Sequence, residues 1–457
     1  MIRKFAFHNK EYNLINNPKH SNRGNAFTVI VGKNGTGKST LLSAIVSTLL
    51  HEYQSHFFTQ AEIGFRHSSI RDLDLDYIPR NIIAVSSSPF DKFPITKKYN
   101  DLNNYTYLGL RDVSALNFGL SYMSKIITSL VQSIYEDHEQ WRSLAEVLNY
   151  LDYEDQIVVK FNFNINKEML KELFSEDFDI EYFFNYSKPF GKKLNKRFFL
   201  NNYEEFEQDK FNHLRDILYY LLNRSSFSPS RHITITINRY GIEDNNNSGL
   251  ESNDLVFLLH SGVLSLRDIG LIKKGSGSIF SIKDSSSGEQ SVILSILGIA
   301  SHITDRSVIC IDEPEVCLHQ EWQEKYIQIL LNTFKRFKNC HFIIATHSPQ
   351  IVANLDNNNC YIVSMENAKT TDASQFINNS IDFQLANVFK SPGFKNEYLS
   401  RIAFTTFTKV GKNKRFDKED ILNYEILKAS YKLLEDMDPV KELISVIKVL
   451  YSKYARY

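Results

Sequence analysis

With 457 residues the chain is too long for one small core and long enough for roughly two to four folding units. Its 53 Lys and Arg residues balance 53 Asp and Glu, so any hold on nucleic acid needs a local patch rather than the overall field. Cys310, Cys317, Cys340 and Cys360 form no C-x-x-C pair, which speaks against a zinc ribbon and a disulfide framework, and no apolar run reaches the ~18 residues of a membrane helix. The segment 1–10 mixes charges with apolar residues and has no signal-peptide h-region, so a soluble protein of a reducing cytoplasm is expected.

Ala26–Val31 is a short apolar run entering a Gly-rich turn, and Ser39–Leu50 then carries apolar residues at helical spacing, which reads as strand, loop, helix. Asn81–Val85 is a second buried-type strand, stopped by Ser86-Ser87-Ser88-Pro89, where a functional loop fits. From about Val113 to Asn223 the pattern is mixed. Helical stretches at Tyr122–Tyr135 and Phe211–Leu222 flank an alternating strand, Ile157–Ile165, and the segment is expected to be an inserted, mainly helical subdomain. His232–Ile237 alternates Thr and Ile as a half-exposed strand. Ser307–Ile311 and His341–Ala345 are further apolar strands that end in polar residues. Strands alternating with helices imply an α/β fold with a mostly parallel sheet, and Glu419–Leu434 and Val440–Tyr454 imply a helical C-terminal extension. The expected division is 1–112 and 231–365 for the two parts of one head, 113–230 for the insertion and 366–457 for the extension.

Gly32-Lys33-Asn34-Gly35-Thr36-Gly37-Lys38-Ser39 fits G-x-x-x-x-G-K-[ST] with a strand before it and a helix after it. Glycines let backbone N–H groups curl around phosphate oxygens at a helix N-terminus, Lys38 reaches the β and γ phosphates, and the Ser39 hydroxyl ligates Mg²⁺. Thr40 follows in the same turn and joins the expected ATP site. Val308–Ile311 delivers Asp312 and Glu313 to a strand end, where Asp312 suits the Mg²⁺ shell and Glu313 suits polarising a water; taken alone, Asp-Glu at a strand end is also an ordinary solvated turn. Ser285-Ser286-Ser287-Gly288-Glu289-Gln290 precedes the apolar helix Ser291–Ala300 and reads either as a second anion cradle or as a Ser-rich linker. His347, in Thr346-His347-Ser348-Pro349, reads either as a γ-phosphate contact or as a structural histidine.

The order of these four elements resembles the ATP-binding-cassette ATPases of the chromosome-maintenance, recombination and overcoming-lysogenization branch, over roughly residues 1–110 and 231–365. The resemblance implies an ABC-type P-loop ATPase head in which Ser286–Gln290 is the signature motif, Asp312 and Glu313 the metal and base pair, and His347 the switch histidine. It also implies a head-to-head dimer or higher oligomer, with Ser287 and Gly288 closing the site of the other subunit. The usual glutamine after the third strand has no counterpart in Asn81–Pro89, and the chain is too short between Ser39 and the signature for a long coiled coil. Compact heads of this kind resemble anti-phage defence ATPases, such as the Septu ATPase PtuA and its PARIS (AriA) and retron-associated relatives. That resemblance implies an effector nuclease or toxin on another chain.

Two further readings compete. Asp436-Met437-Asp438 is the D-x-D downstream of His347, and Asp72, Asp74 and Asp76 alternate before Asn81; both are expected to be solvated rather than a nuclease metal site. Lys188-Pro189-Phe190, Lys192-Lys193 and Lys196-Arg197-Phe198 interleave cations with aromatics, as DNA binding would need and as a plain basic surface also would. Lys412, Lys414 and Arg415 form a smaller patch of the same kind. A DNA-repair ATPase that binds DNA directly, and an ATP-clamped scaffold with little turnover, remain alternatives.

Overall fold

A computed structural model describes residues 1–16, 24–61, 73–95, 104–111, 118–136, 140–176, 178–186, 194–201, 204–223, 232–246, 249–316 and 318–455. Contacts divide the chain into two units, Met1–Tyr107 with Thr304–Tyr457, and Leu108–Ile303. The residues 231–303, grouped with the head in the sequence reading, fall in the second unit with 113–230.

The first unit opens with β1 (Ile2–Phe7) and β2 (Lys10–Asn13), followed by β3 (Ala26–Val31), α1 (Lys38–Ala61), β4 (Leu73–Leu75), β5 (Ile82–Ser86) and β6 (Tyr105–Leu108). In the second unit come α2 (Phe118–Glu136), α3 (Gln140–Tyr150), β7 (Tyr153–Phe163), α4 (Lys167–Leu173), α5 (Ile180–Tyr186), α6 (Gln208–Leu222), β8 (Ile233–Asn238), β9 (Gly241–Asp244), α7 (Ser252–His260), β10 (Leu264–Lys273), β11 (Ile279–Ser281) and α8 (Ser287–Ala300). The chain then returns to the first unit through β12 (Val308–Asp312), α9 (Gln320–Thr333), β13 (His341–Ala345), α10 (Pro349–Ala353), β14 (Cys360–Ser364) and β15 (Thr370–Asp372). Four helices close it: α11 (Ile381–Asn387), α12 (Glu397–Asn413), α13 (Lys418–Ser430) and α14 (Pro439–Tyr454).

The central sheet of the first unit has seven strands in the order β15-β14-β3-β13-β12-β5-β6. The five inner strands run parallel, and β15 pairs antiparallel with β14. Continuous apolar runs suit strands covered on both faces: every residue of β3, β5, β12 and β13 is buried. One face packs on Leu41, Leu42, Ile45, Val46 and Leu49 of α1; burying each of these side chains is worth about 1.5–3 kcal/mol. On the other, Phe342 stacks between Phe27 and Phe334, with ring centroids at 4.6 and 5.7 Å. The parallel order sets the C-terminal ends of β3, β5, β12 and β13 along one sheet edge, where open α/β sheets bind ligands.

His341 ties this sheet to the N-terminal strands. Thr28 Oγ1 donates to Leu14 O at 2.7 Å, so it accepts from His341 Nε2 at 2.9 Å, while His341 Nδ1 accepts from Ile2 N at 3.3 Å. That chain of bonds fixes a neutral tautomer with hydrogen on Nε2.

The second unit extends beyond the expected insertion at 113–230, where the elements are α2–α6 and β7, to take in β8–β11 and α7 and α8. Its strands form an antiparallel sheet in the order β11-β10-β7-β8-β9, because β8 pairs along β7 from Ile233↔Phe161 to Ile237↔Ile157. The Thr/Ile alternation thus pairs with the 157–165 segment rather than extending the parallel sheet.

Candidate functional site

The phosphate loop leaves β3 and enters α1 as the motif requires. Gly37 has φ +92°, a conformation L side chains rarely adopt, and a Cβ on Gly32 would lie 2.8 Å from Thr36 Oγ1 and 3.0 Å from Met365 Cβ. Thr36 Oγ1 donates to Lys33 O at 2.8 Å, which holds the curl; Lys33, Asn34 and Gly35 lie exposed at its tip. Thr40 completes the first helical turn.

Lys38 is 4% exposed, and burial pushes its ammonium below the ordinary range. Its Nζ donates to Gly32 O at 3.0 Å and to Lys33 O at 3.3 Å, and stands 3.4 Å from His347 Nδ1. An ammonium only donates, so Nδ1 accepts and the neutral imidazole carries its proton on Nε2. That nitrogen faces Glu313 Oε1 at 3.6 Å. Burial, then the Lys38 charge, pushes the His347 imidazolium down to about 4, so the ring is neutral at pH 7.

Asp312 ends β12 and is 2% exposed. Its Oδ1 accepts from Ser39 Oγ at 3.0 Å, yet burial raises the carboxyl to about 7. A hydroxyl and a buried carboxylate that favours its charged form only beside a cation are an oxygen donor set of the kind Mg²⁺ takes. Glu313 follows with φ 48°, a left-handed backbone that is uncommon outside glycine and that re-aims the chain after the strand. Its N–H donates to Ala345 O at 2.9 Å, which ties this turn to β13.

The phosphate loop, Asp312, Glu313 and His347 therefore meet at one sheet edge. The segment Ser286–Gln290 lies in the second unit. Ser286 caps α8 by accepting from Glu289 N at 3.2 Å, and Ser286 and Ser287 are exposed while Gly288 is buried. Glu289 Oε1 accepts from Tyr153 Oη at 2.9 Å, and Gln290 Nε2 donates to Ser285 O at 3.0 Å. The last two side chains are thus engaged within their own unit.

Two features went unread in the sequence. Glu315, two residues beyond Glu313, is half-buried, and its Oε1 accepts from the His347 N–H. The residues after β5 also matter: Ser86, 1% exposed, stands opposite Asp312 in the β5/β12 register, and Lys92 bonds to Thr40. The Ser-Ser-Ser-Pro run marked a loop but gave no sign of these partners.

The remaining candidates resolve differently. Asp438 is not solvated: it is fully buried and caps α14, accepting from Val440 N at 2.9 Å and Lys395 N at 2.9 Å, while exposed Asp436 pairs with Lys441 at 2.7 Å. Asp76 pairs with Arg3 at 2.8 Å and Asp74 is exposed on β4; Asp72 lies outside the described residues. Of the basic aromatic segment, 187–193 also lies outside them, and Lys196 and Arg197 are exposed on a short 3₁₀ turn. Among the described residues no helix is long and apolar enough to cross a membrane.

The parallel sheet, the curled loop and the paired carboxylates define a P-loop ATPase of the ABC/AAA type. The chain belongs to the family described as "AAA domain, putative AbiEii toxin, Type IV TA system", whose profile matches residues 87–353. It is similar to the "Retron Vc95 probable ATPase" of Vibrio cholerae serotype O1 biovar El Tor, 23% identical over 396 residues that cover 78% of this chain and 72% of that protein. It is 29% identical to the "Retron Ec83 probable ATPase" of Escherichia coli over 132 residues, 26% of this chain and 23% of that protein. Among solved structures, an Smc head domain from Pyrococcus furiosus, bound to the C-terminal domain of ScpA, aligns over 81% of this chain and 95% of its own at 13% identity and a TM-score of 0.29, too distant a likeness to carry function.

Proposed function

We propose that this protein binds and hydrolyses ATP at the β3–α1 loop, that two heads pair around the nucleotide, and that the cycle controls a partner effector, a nuclease or toxin, in anti-phage defence. The observation that carries the reading is the convergence of Lys38, Ser39, Asp312, Glu313 and His347 on one sheet edge. The similarity to two retron ATPases supports the defence setting.

Lys38 and the loop amides hold the β and γ phosphates, releasing the ammonium from its internal carbonyl bonds. Ser39 Oγ and Asp312 would hold Mg²⁺, which screens the phosphate charge when bound. Glu313 accepts a proton from water as the water oxygen forms a bond to Pγ, and the bond from Pγ to the bridging oxygen breaks to leave ADP. The neutral His347 can donate Nε2–H to a γ oxygen or to Glu313, which keeps the base aligned. Exposed Ser286 and Ser287, with Gly288, supply the α8 N-terminus that would close the site of a second copy.

Lys38→Ala tests this reading by native mass measurement of the protein co-expressed with its neighbouring genes. Loss of ATP binding and of ATP-dependent pairing is expected. ATP-dependent pairing that survives in Lys38→Ala would overturn it.

A further inference from the structure

Lys92 lies beyond the phosphate loop, on the segment that follows β5, yet its Nζ donates to Thr40 Oγ1 at 2.8 Å in the first turn of α1. A helix N-terminus carries partial positive charge, so a cation held there is unfavourable unless an anion joins it. The first turn of α1 contains no acidic residue. Among the described residues no carboxylate lies within ion-pair distance of Lys92.

The fold nevertheless enforces the placement. Lys92 O accepts from Ser43 Oγ at 2.5 Å, one turn further along α1. Its neighbours Asp91 and Phe93 are 3% and 2% exposed. The Asp91 carboxylate is turned inward, accepting from Tyr107 Oη at 2.7 Å and from Phe93 N at 3.0 Å. An exposed lysine ordinarily samples many rotamers. Here the residues on both sides are buried and the backbone is tied to α1, so the ammonium is delivered to Thr40.

We propose that Lys92 is a second phosphate-binding cation of the site, contacting a phosphate of the nucleotide that is not transferred. This rests on the reading of the β3–α1 loop as the ATP site. Asp312, Glu313 and Glu315 all act electrostatically on Lys38, marking its surroundings as the hydrolysed end. Among the described residues no carboxylate pairs with Lys92, the neighbouring Asp91 being turned to Tyr107 Oη, and its ammonium is anchored to Thr40 instead, which points to the α or β phosphate. When nucleotide binds, the ammonium exchanges its bond to Thr40 Oγ1 for a charge-assisted bond to phosphate oxygen, and the charge conflict at the α1 N-terminus is relieved.

The test is calorimetric titration of the full chain and its variants with ATP and with ADP. Lys92→Gln is expected to weaken both nucleotides by the same factor, about tenfold or more, as loss of a charged hydrogen bond does. Lys92→Arg should recover most of that loss, and the melting temperature of nucleotide-free Lys92→Gln should stay within about 3 °C of the parent. Unchanged affinities would overturn the proposal, and so would a loss confined to ATP, which would put Lys92 on the γ phosphate. A drop in nucleotide-free stability without a change in affinity would make it a structural latch and equally sink it. Lys38→Ala separates the two readings: if it keeps full ATP affinity the nucleotide site itself is misplaced, whereas if it loses binding while Lys92→Gln does not, only the assignment of Lys92 fails.

Discussion

Ser39 Oγ donates to Asp312 Oδ1 across 3.0 Å although 273 positions of sequence separate them. β3 and β12 do not touch; β13 lies between them, and parallel pairing on both sides brings their ends level. Two side-chain oxygens from distant segments thus meet because of strand order. The carboxyl is raised to about 7, so at neutral pH the pair is poised between proton and cation.

Removing either oxygen should therefore weaken the same event. Asp312→Asn keeps the shape of the side chain and removes the charge, and Mg²⁺-dependent ATP turnover should fall by about 10² or more. On the proposed reading, in which Ser39 and Asp312 hold one Mg²⁺, Ser39→Ala added to Asp312→Asn should cost much less than the sum of the two single losses. Steady-state phosphate release from the three variants checks it, and additive losses would argue that the two groups work independently.

Glu313→Gln should separate turnover from binding. Its backbone at φ 48° and its N–H bond to Ala345 O fix where the carboxylate points, so Glu313→Gln changes the chemistry with little change of shape. Hydrolysis is expected to fall by roughly 10²–10³, the usual worth of a general base, while ATP affinity stays within a few-fold. Defence activity that persists in a turnover-dead Glu313→Gln protein would favour the ATP-clamped scaffold over the hydrolytic cycle.

The nucleotide end of this fold was legible because its signals are local. A glycine loop between an apolar strand and a helix declares itself in eight residues, and Asp312, Glu313 and His347 each follow a continuous apolar strand. The second unit was not legible in the same way. Ile157–Ile165 and His232–Ile237 both read as strands, but nothing in either showed that they pair with each other rather than with the parallel sheet. Glu315 and Lys92 were missed for a related reason. Their partners, the His347 N–H and Thr40 Oγ1, lie 32 and 52 positions away, and no periodicity encodes such bonds. Asp438 was misjudged because a capping aspartate and a solvated one look alike until the helix start is seen.

His302 should withdraw stability in mild acid. Burial pushes His302 from its ordinary 6.5 down to about 4, and its Nε2 is engaged with Ser129 Oγ. Between those values the unfolded chain takes up a proton that the folded chain refuses, so the stability this group contributes is full above pH 6.5 and declines as pH drops towards 4. His347 and His260 are shifted the same way by burial, so the slope is shared. Because buried Asp312, raised to about 7, takes up a proton in the folded state and acts in the opposite sense, the His302 share is read as the difference in urea midpoint between the parent and His302→Gln at pH 7.5, 6.5, 5.5 and 4.5. His302→Gln should flatten the decline by on the order of 2 kcal/mol; an unaltered slope would mean His302 is not the titrating group.

Tyr153 should matter to pairing without touching nucleotide. It is 5% exposed at the start of β7, and its hydroxyl donates to Glu289 Oε1 at 2.9 Å in the first turn of α8. That bond holds the turn that carries exposed Ser286 and Ser287. Tyr153→Phe keeps the ring and removes one hydrogen bond, worth about 1–3 kcal/mol when its carboxylate partner is left half-buried. Binding of ATP to the single chain should be unchanged, because Lys38, Ser39 and Asp312 belong to the other unit. ATP-dependent self-association, read by sedimentation over a range of protein concentrations, should weaken by about fivefold or more. An equal loss of monomer ATP affinity would mean that Tyr153 acts on the first unit rather than on the α8 turn.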